Sequence, residues 1–452
     1  MKIYQSFYHS DINITILDIV ILLVIMFIAY IYGNIKFSNN QNKAEYIYFK
    51  NALVLKILMS LIFALIILFF YPGDSMGYFQ SINAFNKVFF QNPKQYFDIL
   101  FLGNKPEFYS YFNSQTGYPA WYMWKDANSI FVARIYSPFM ILSYKSYIIS
   151  TVIAGLIGFT GIWKLFKTLS KIYPRMEKKL AIAILYFPSL FFWSSGIMKD
   201  TLTISALGWI IYAFYELVIL KKIKLKYFII LFFASLIIIN IKAYIFAALV
   251  PGLFIWAFFG QIKAIKSQLF KILIAPVILG LLVLAFSFLM KNTSESMGTY
   301  GSIDSTLNYA SVVQQDLTRH EQYGHNYYDI GKFEATPMGV LKKFPIATIS
   351  GIYRPFLWEA RNPFIVLAAL EGAFLFLFML YVIFKIGFFK FFRRIFADPF
   401  LIFSLSFVII FGFGIGLATA NFGALVRYKI PLLPFYLASL FVIYDKFLKE
   451  SA

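Results

Sequence analysis

The amino-acid sequence predicts an all-α polytopic membrane protein, a bundle of about eleven transmembrane helices within a range of about ten to thirteen. Of its 452 residues, 60% are hydrophobic and only 14% are charged. A soluble domain of this length could not hide so much apolar surface in its core. The apolar residues also gather in runs of about 20, the length that a helix needs to cross the hydrocarbon of a bilayer.

The apolar runs place the predicted spans along the chain. They lie at residues 12–33, 52–71, 147–168, 179–195, 199–220, 227–242, 243–259, 270–290, 363–387, 399–419 and 430–447. The segment Phe131–Tyr144 is also apolar, but another crossing there would move the basic cluster Lys164–Lys179 to the opposite side of the membrane. We therefore expect this segment to form an interfacial or re-entrant helix.

Basic residues predict which side of the membrane each loop faces. One alternate set of loops carries most lysine clusters, including Lys164–Lys179 and Lys221–Lys226, and few acids. Because loops rich in Lys and Arg stay in the cytoplasm, the N-terminus is predicted outside and the C-terminus inside. The formal net charge of +20 then largely reflects this inward bias rather than an affinity for nucleic acid.

Two long loops on the predicted outer side divide the chain. Residues 1–51 hold an N-terminal span and a cytoplasmic loop, and residues 52–290 form a transmembrane core that contains the first large outer loop, 72–146. The second large outer loop covers 291–362, and a three-span segment follows at 363–452. Loops carry function more often than the elements they connect, so we expect the active face to be the outer one.

An aspartate directly after the second span is the first candidate for chemistry. In Tyr71-Pro72-Gly73-Asp74-Ser75, Pro and Gly end the helix and leave Asp74 at the outer membrane boundary. A carboxylate there could accept a proton from a hydroxyl group or hold a divalent cation. The alternative is a solvated turn aspartate or an N-cap for the following helix.

Two lysines lie at predicted outer turns. Lys199 and Asp200 follow the turn at Gly196, at the start of a span. Asp200 complements the helix N-terminus, whereas Lys199 stands at its unfavourable end and needs an anion, either Asp200 or a bound phosphate. Lys242 lies in a turn with almost no loop, so it is either at membrane depth or extended toward the surface.

Arginines near the starts of later spans are further candidates. Arg is the cation suited to bidentate phosphate or carboxylate contacts, and this chain otherwise uses mostly lysine. Arg354 and Arg361 flank Glu359, which could pair with either of them, and Glu371 lies about two turns into the next span. A carboxylate at that depth faces the bundle interior or pairs with a cation.

Basic residues precede the last span, and the second outer loop contains a cluster of polar residues. Arg427 and Lys429 lie in the stretch that enters the span. His320 and His325 accompany several acids, but their spacings match no recognised set of metal ligands, which favours solvated loop residues. The chain has no cysteine, which excludes disulfides, thiolate metal sites and cysteine nucleophiles.

These features together resemble the GT-C superfamily of polytopic glycosyltransferases, in particular bacterial protein O-mannosyltransferase-like and lipid A glycosyltransferase-like enzymes. The stretches that carry the likeness are Gly73-Asp74-Ser75, Phe187–Asp200 and Asn421–Pro434, within an architecture that covers roughly residues 52–447. The family often has a second acid beside or soon after its first-loop acid, whereas Ser75 follows Asp74 here.

The resemblance implies an activity and its site. A sugar would pass from a polyprenyl-phosphate donor to a glycan, lipid or protein acceptor on the periplasmic face of a bacterial inner membrane. Asp74 would act as base or metal contact, and Mg²⁺ or Mn²⁺ is the cofactor that such a site would use. The cations that would bind the donor phosphate are Lys199, Lys242, Arg354, Arg427 and Lys429; supporting residues are Asp200, Glu359, Arg361, Glu371, His320 and His325.

Two other functions fit the predicted architecture. An O-antigen polymerase-like or ligase-like enzyme would use the second outer loop, with Arg319, His320, His325 and Arg354. A transporter of small solutes or lipid-linked glycans would place Lys242 and Glu371 along a path. Transporters often show internal repeats, and the sequence has no convincing repeat.

Overall fold

The computed structural model describes residues 14–70, 73–103, 105–143, 145–264, 326–334 and 336–451. Within these ranges the regular secondary structure is helical, apart from an isolated bridge between Tyr327 and Asn421. Eight helices in the described ranges are long and apolar enough to cross a membrane. The predicted all-α class and the multi-pass membrane character are therefore confirmed.

The α-helices are labelled in chain order. They are α1 Ile16–Ser38, α2 Phe49–Phe69, α3 Asp74–Gln91, α4 Pro93–Phe101, α5 Trp121–Lys125, α6 Ala127–Met140, α7 Tyr147–Ile172, α8 Glu177–Ile184, α9 Pro188–Trp193, α10 Lys199–Phe214, α11 Leu225–Ala257, α12 Phe259–Ala264, α13 Pro337–Lys342, α14 Phe344–Tyr353, α15 Pro363–Ile386, α16 Phe388–Ala397, α17 Pro399–Ala418, α18 Phe422–Tyr428 and α19 Leu433–Ser451. The candidate spans are Ile16–Ser38, Ala44–Phe69, Tyr147–Ile172, Lys199–Ile219, Leu225–Ala257, Pro363–Ile386, Pro399–Ala418 and Phe422–Lys449.

The predicted count of eleven spans is not confirmed. The predicted span 179–195 is divided between the short helices α8 and α9. The predicted spans 227–242 and 243–259 share α11, whose backbone departs from helical geometry inside the helix only at Lys242, with φ −149° and ψ 73°. The predicted span 270–290 and most of the second outer loop lie outside the described residues.

The chain forms two compact units that divide at Lys242. Of the described residues, the first contains those up to Leu217 and Ile223–Lys242, and the second contains Val218–Lys222 and those from Ala243 onward. The division coincides with the break in α11.

In the first unit, α7 and α10 run parallel at close approach. Gly158 of α7 lies against Thr201, and Gly161, one turn further, lies against Ser205. A Cβ atom on Gly161 would collide with the backbone of Ser205. Small residues let two helix backbones approach in this way, and the contact sets the depth at which α10 begins.

The turn predicted on the outer side at Gly196 is instead buried inside the first unit. Ser194 and Ser195 are fully enclosed. The carbonyl of Ser195 lies against Gly155, well inside α7, and Gly196 lies against Phe63 of α2. Lipid offers no hydrogen-bond partners to irregular backbone, so a turn at this depth has to be covered by protein. The turn is therefore enclosed by protein rather than exposed at a surface, and its position on the outer side stays a prediction.

Helices α3 to α6 form a layer between α2 and α7 in the chain and share one hydrophobic core. The segment Phe131–Tyr144 contributes to α6, whose 14 residues are too few for a crossing, as expected. The Tyr78 hydroxyl donates to Ser129 Oγ at 3.5 Å, and Ser137 Oγ donates to Asn86 Oδ1 at 2.5 Å. Both contacts join residues 51 apart, so α3 and α6 run parallel in a constant register.

The second unit is built around α17. Gly351 of α14 packs directly on Gly412 and Gly416 of α17, which again lets two backbones meet closely. Trp256, at the end of α11, stacks on Phe403 at 5.1 Å between ring centroids. Helix α16 is strongly amphipathic: its aromatic residues are largely exposed beside several basic ones, which is typical of a helix in the membrane interface.

Candidate functional site

Asp74 is the first residue of α3, and its side chain is exposed. Gly73 rather than Asp74 is the N-cap residue, so Asp74 complements the helix dipole from within the first turn. The next residue, Ser75, is buried and shares a 2.7 Å hydrogen bond with the Tyr147 hydroxyl at the start of α7. The N-terminus of α3 is thereby held against a membrane span.

Asp126 is a second carboxylate in the same layer, and the sequence reasoning missed it. It is the N-cap of α6, where it accepts hydrogen bonds from the backbone of Asn128 at 3.1 Å and from Ser129 Oγ at 2.5 Å. Lys199 Nζ donates at 3.1 Å to Oδ2, the same oxygen that accepts from Ser129 Oγ. The Asp-Ala-Asn-Ser sequence before an apolar helix is an N-cap signature that could have drawn attention to Asp126.

The protonation of Asp126 follows from these contacts. Partial burial alone would raise the pKa of its carboxyl, but Lys199, Ser129 and the Asn128 backbone lower it by more. The net pKa lies below the usual value, so Asp126 is a carboxylate at neutral pH.

The register of α3 and α6 brings Asp74 to the level of this ion pair. The offset of 51 residues between paired positions places Asp74 opposite Lys125, one residue before Asp126. Asp74 and the Asp126–Lys199 pair therefore lie at the same level, at the end of the layer that adjoins the start of α7. A carboxylate from each of two parallel helices is thus accompanied by a cation from α10.

Lys199 has a partner other than those the sequence offered. Its side chain is 22% exposed and that of Asp126 is 44% exposed, so solvent and a ligand can reach this pair. Its sequence neighbour Asp200 pairs with another lysine instead. A partly exposed cation that is paired with a partly exposed carboxylate can exchange part of that contact for a phosphate.

Asp200 instead forms a buried ion pair with Lys242. The Lys242 ammonium lies 2.5 Å from Asp200 Oδ1, and the two side chains are 7% and 1% exposed. This pair stands at the break in α11. Lys242 does not extend to the surface, because its charge is neutralised inside the first unit.

Lys56 is a further buried cation that the sequence reasoning did not single out. It lies in α2 with no exposed surface, and its Nζ donates to Phe191 O at 3.2 Å and to Ser194 Oγ at 2.7 Å. These groups end helix α9, where carbonyls point toward a cation. Lys56 therefore stabilises the buried turn.

Arg134, in the middle of α6, is the second cation that sequence reasoning missed. Its Nε and Nη2 atoms are enclosed, and among the described residues they have no hydrogen-bond partner. Burial lowers the pKa of the guanidinium to about 10, so it keeps its charge at neutral pH. It stands about 12 Å along α6 from Asp126, at 1.5 Å per residue.

In the second unit, Arg354 is held between two aromatic rings. Its guanidinium carbon lies 5.0 Å from the ring centre of Tyr328 and 5.5 Å from that of Phe356. Its Nε lies 3.4 Å from Glu359 Oε1, and its Nη1 donates to Asp329 O at 3.4 Å. The expected pairing of Arg354 with Glu359 is thus observed.

The other predicted cations of the second unit differ in exposure. Lys429 is fully buried, donates from Nζ to Arg354 O at 3.2 Å, and interacts electrostatically with Glu371. Arg427 is half-buried, and Arg361 is exposed.

Histidines and metal ligands complete the site residues. His320 and His325 lie outside the described residues, as does Arg319. Among the residues that the structure describes, no group of three or more His, Cys, Asp or Glu side chains could hold a metal ion. The predicted divalent cation therefore stays a prediction, for which Asp74 and Asp126 supply oxygen ligands of the type that Mg²⁺ and Mn²⁺ prefer.

The chain was compared with models of protein families, with curated proteins and with solved structures, and no match was found in any of the three.

Proposed function

We propose that this protein is a membrane glycosyltransferase that moves a sugar from a polyprenyl-phosphate donor to an acceptor hydroxyl on the outer face. One observation carries the proposal: the α3–α6 register sets the exposed Asp74 level with the accessible Asp126–Lys199 pair. The arrangement supplies a general base and a phosphate-binding cation at the end of a layer that adjoins a membrane span.

Each residue has a role in the proposed transfer. The acceptor hydroxyl gives its proton to the Asp74 carboxylate while its oxygen bonds to the anomeric carbon of the sugar. The bond from that carbon to the phosphate oxygen breaks, and the lipid phosphate leaves with the electron pair. Lys199 neutralises the charge that develops on the phosphate, and Asp126 positions Lys199.

The buried cations take a different place in this proposal. Lys242 forms an ion pair with Asp200, and Lys429 is buried. Neither ammonium is therefore accessible to a lipid phosphate. Arg354 and Arg427 stay predicted phosphate contacts of the second unit. The outer orientation of the site rests on the lysine bias of the opposite loops.

The proposal is tested by transfer from a labelled polyprenyl-phosphate sugar in membrane vesicles. Asp74→Asn should reduce transfer by about 100-fold or more, the usual contribution of general base catalysis. The matched control is Glu107→Gln, an exposed acid of the same layer, which should leave transfer unchanged. Undiminished transfer by a well-expressed Asp74→Asn variant would remove Asp74 as the base.

A transporter is a second candidate, which the Asp200–Lys242 pair favours. Ionisable residues inside membrane proteins often mark ion or substrate paths, and broken helices are typical of transporters. Substrate movement into proteoliposomes with no covalent product, lost in an Asp200→Asn variant, would support this function. Covalent transfer that persists in the same variant would favour the glycosyltransferase.

A further inference from the structure

An apolar groove of about 580 Å³ lies in the first unit among α1, α2, α7 and α10. Its walls include Ile28, Tyr32, Leu53, Phe159 and Trp209, with very little polar surface. The volume falls within the range of pockets that hold small ligands. The groove is separate from the cluster formed by Asp74, Asp126 and Lys199.

Helix α1 leaves this groove open to the bilayer. Two α1 side chains that line the groove are themselves exposed, Ile28 at 58% and Tyr32 at 46%. In a membrane such surface contacts lipid. A lipid chain can therefore enter the groove directly from the bilayer, without first losing bound water.

One end of the groove carries a concentration of positive charge. Lys164 lines the groove there, and its ammonium lies 4.7 Å from the ring centre of Trp209 and 4.3 Å from that of Tyr212. Lys36, Lys167 and Lys226 are close enough to repel it electrostatically.

Glu216 is the acid whose charge acts on Lys164, and it offsets part of this repulsion. Its Oε1 also forms an ion pair with Lys171 Nζ at 2.8 Å, so the carboxylate is shared between two lysines. Lys164 therefore lines one end of the apolar groove under the influence of three further lysines, and the carboxylate that acts on it is shared with Lys171. Such a cluster is stabilised by an external anion.

We propose that this groove binds an anionic glycerophospholipid, with one acyl chain between α1 and α7 and its phosphate at Lys36 and Lys164. The apolar walls match the chain, and the lysines match the headgroup. The basic end is the one that the loop charges predict to be cytoplasmic, the leaflet side on which such clusters attract anionic lipids. The ring contacts hold the Lys164 ammonium at the mouth of the groove.

Lipid binding to the purified full-length chain tests the proposal. Native mass spectrometry would compare phosphatidylglycerol with phosphatidylcholine of the same chain length, and we expect at least a five-fold preference for phosphatidylglycerol. Lys164→Gln should remove most of this preference, whereas Lys178→Gln, an exposed lysine of α8, should leave it unchanged. Equal binding of the two lipids by the wild type would overturn the proposal.

A second variant tests the groove itself and guards against misfolding. Ala29 lines the groove on α1, and Ala29→Phe should reduce retention of both lipids while the unfolding temperature stays within a few degrees of the wild type. Unchanged lipid retention in the folded Ala29→Phe variant would contradict the proposal.

The neighbouring residue distinguishes a second copy of the chain from a lipid. Because the chain has no cysteine, Ile28→Cys introduces a unique one at an exposed position of the groove wall. Efficient oxidative cross-linking of two chains through it in lipid vesicles would mean that another copy covers the groove, and would overturn the lipid proposal. Monomeric protein under the same conditions supports it.

Discussion

Lys199 and Asp200 are neighbours in sequence, yet they belong to two ion pairs with opposite properties. Lys199 pairs with Asp126 at 3.1 Å, with side chains that are 22% and 44% exposed. Asp200 pairs with Lys242 at 2.5 Å, with side chains that are 1% and 7% exposed. The accessible pair can exchange a partner for a ligand, whereas the enclosed pair can lose a partner only by leaving a bare charge in a medium of low dielectric. The contrast fits the proposed phosphate-binding role of the first pair, and the glycosyltransferase proposal leaves the second pair a structural role.

The largest effect is expected from breaking the enclosed pair. Lys242→Ala leaves the Asp200 carboxylate buried without its cation, and the free energy of unfolding should fall by about 3–5 kcal/mol. Denaturant titration of the protein in bicelles measures this change. The double variant Asp200→Asn/Lys242→Met removes both charges and should regain most of the loss. A single variant that loses less than about 1 kcal/mol would show that the pair is not enclosed in the membrane.

A change in the accessible pair should act on ligand binding rather than on folding. Lys199→Gln should raise the KM for the polyprenyl-phosphate donor about tenfold or more, because a charge-assisted contact to phosphate contributes about 1.5–3 kcal/mol. The free energy of unfolding should change by less than about 1 kcal/mol, as for other ion pairs that solvent reaches.

The matched control for Lys199 is an exposed lysine of the α3–α6 layer. Lys105→Gln should change neither the KM nor the stability. A large loss of stability in Lys199→Gln, with an unchanged KM, would reverse the assignment of the two pairs.

The smallest effect concerns the pH dependence of the accessible pair. The pKa of Asp126 is lowered in the folded protein, so its contribution to stability is complete above the ordinary aspartate pKa of 3.8 and is lost as the pH falls through the lower folded pKa. Between pH 5 and about pH 3, the unfolding temperature of the wild type should therefore fall slightly more than that of Asp126→Asn. Parallel curves for the two proteins would mean that Lys199 and Ser129 do not hold the carboxylate in solution.

Local patterns were predictable where the partners lie close in sequence. The pairing of Arg354 with Glu359 spans five residues, and the helix that begins at Asp74 follows a Pro-Gly break. Long apolar runs such as Ile16–Ser38 are recognisable as candidate spans from the sequence, because the length of an apolar run is a property of the sequence alone.

Contacts between distant segments were not predictable in this way. Asp126 and Lys199 are 73 residues apart, and Lys56 reaches Ser194 across 138 residues. The apolar run 179–195 reads as a span by length, but its residues form two short helices and a turn that α2 and α7 cover. Apolar length does not distinguish a segment that faces lipid from one that other helices enclose.

The amino-acid sequence by itself determined that this chain is a helical, multi-pass membrane protein, because apolar composition and run length are local quantities. Tertiary structure decided which charges are enclosed and which are accessible. The depth at which α10 begins is set by glycine contacts with α7, and that depth encloses Asp200 while leaving Lys199 within reach of Asp126. No property of these two adjacent residues distinguishes them until the helices have packed.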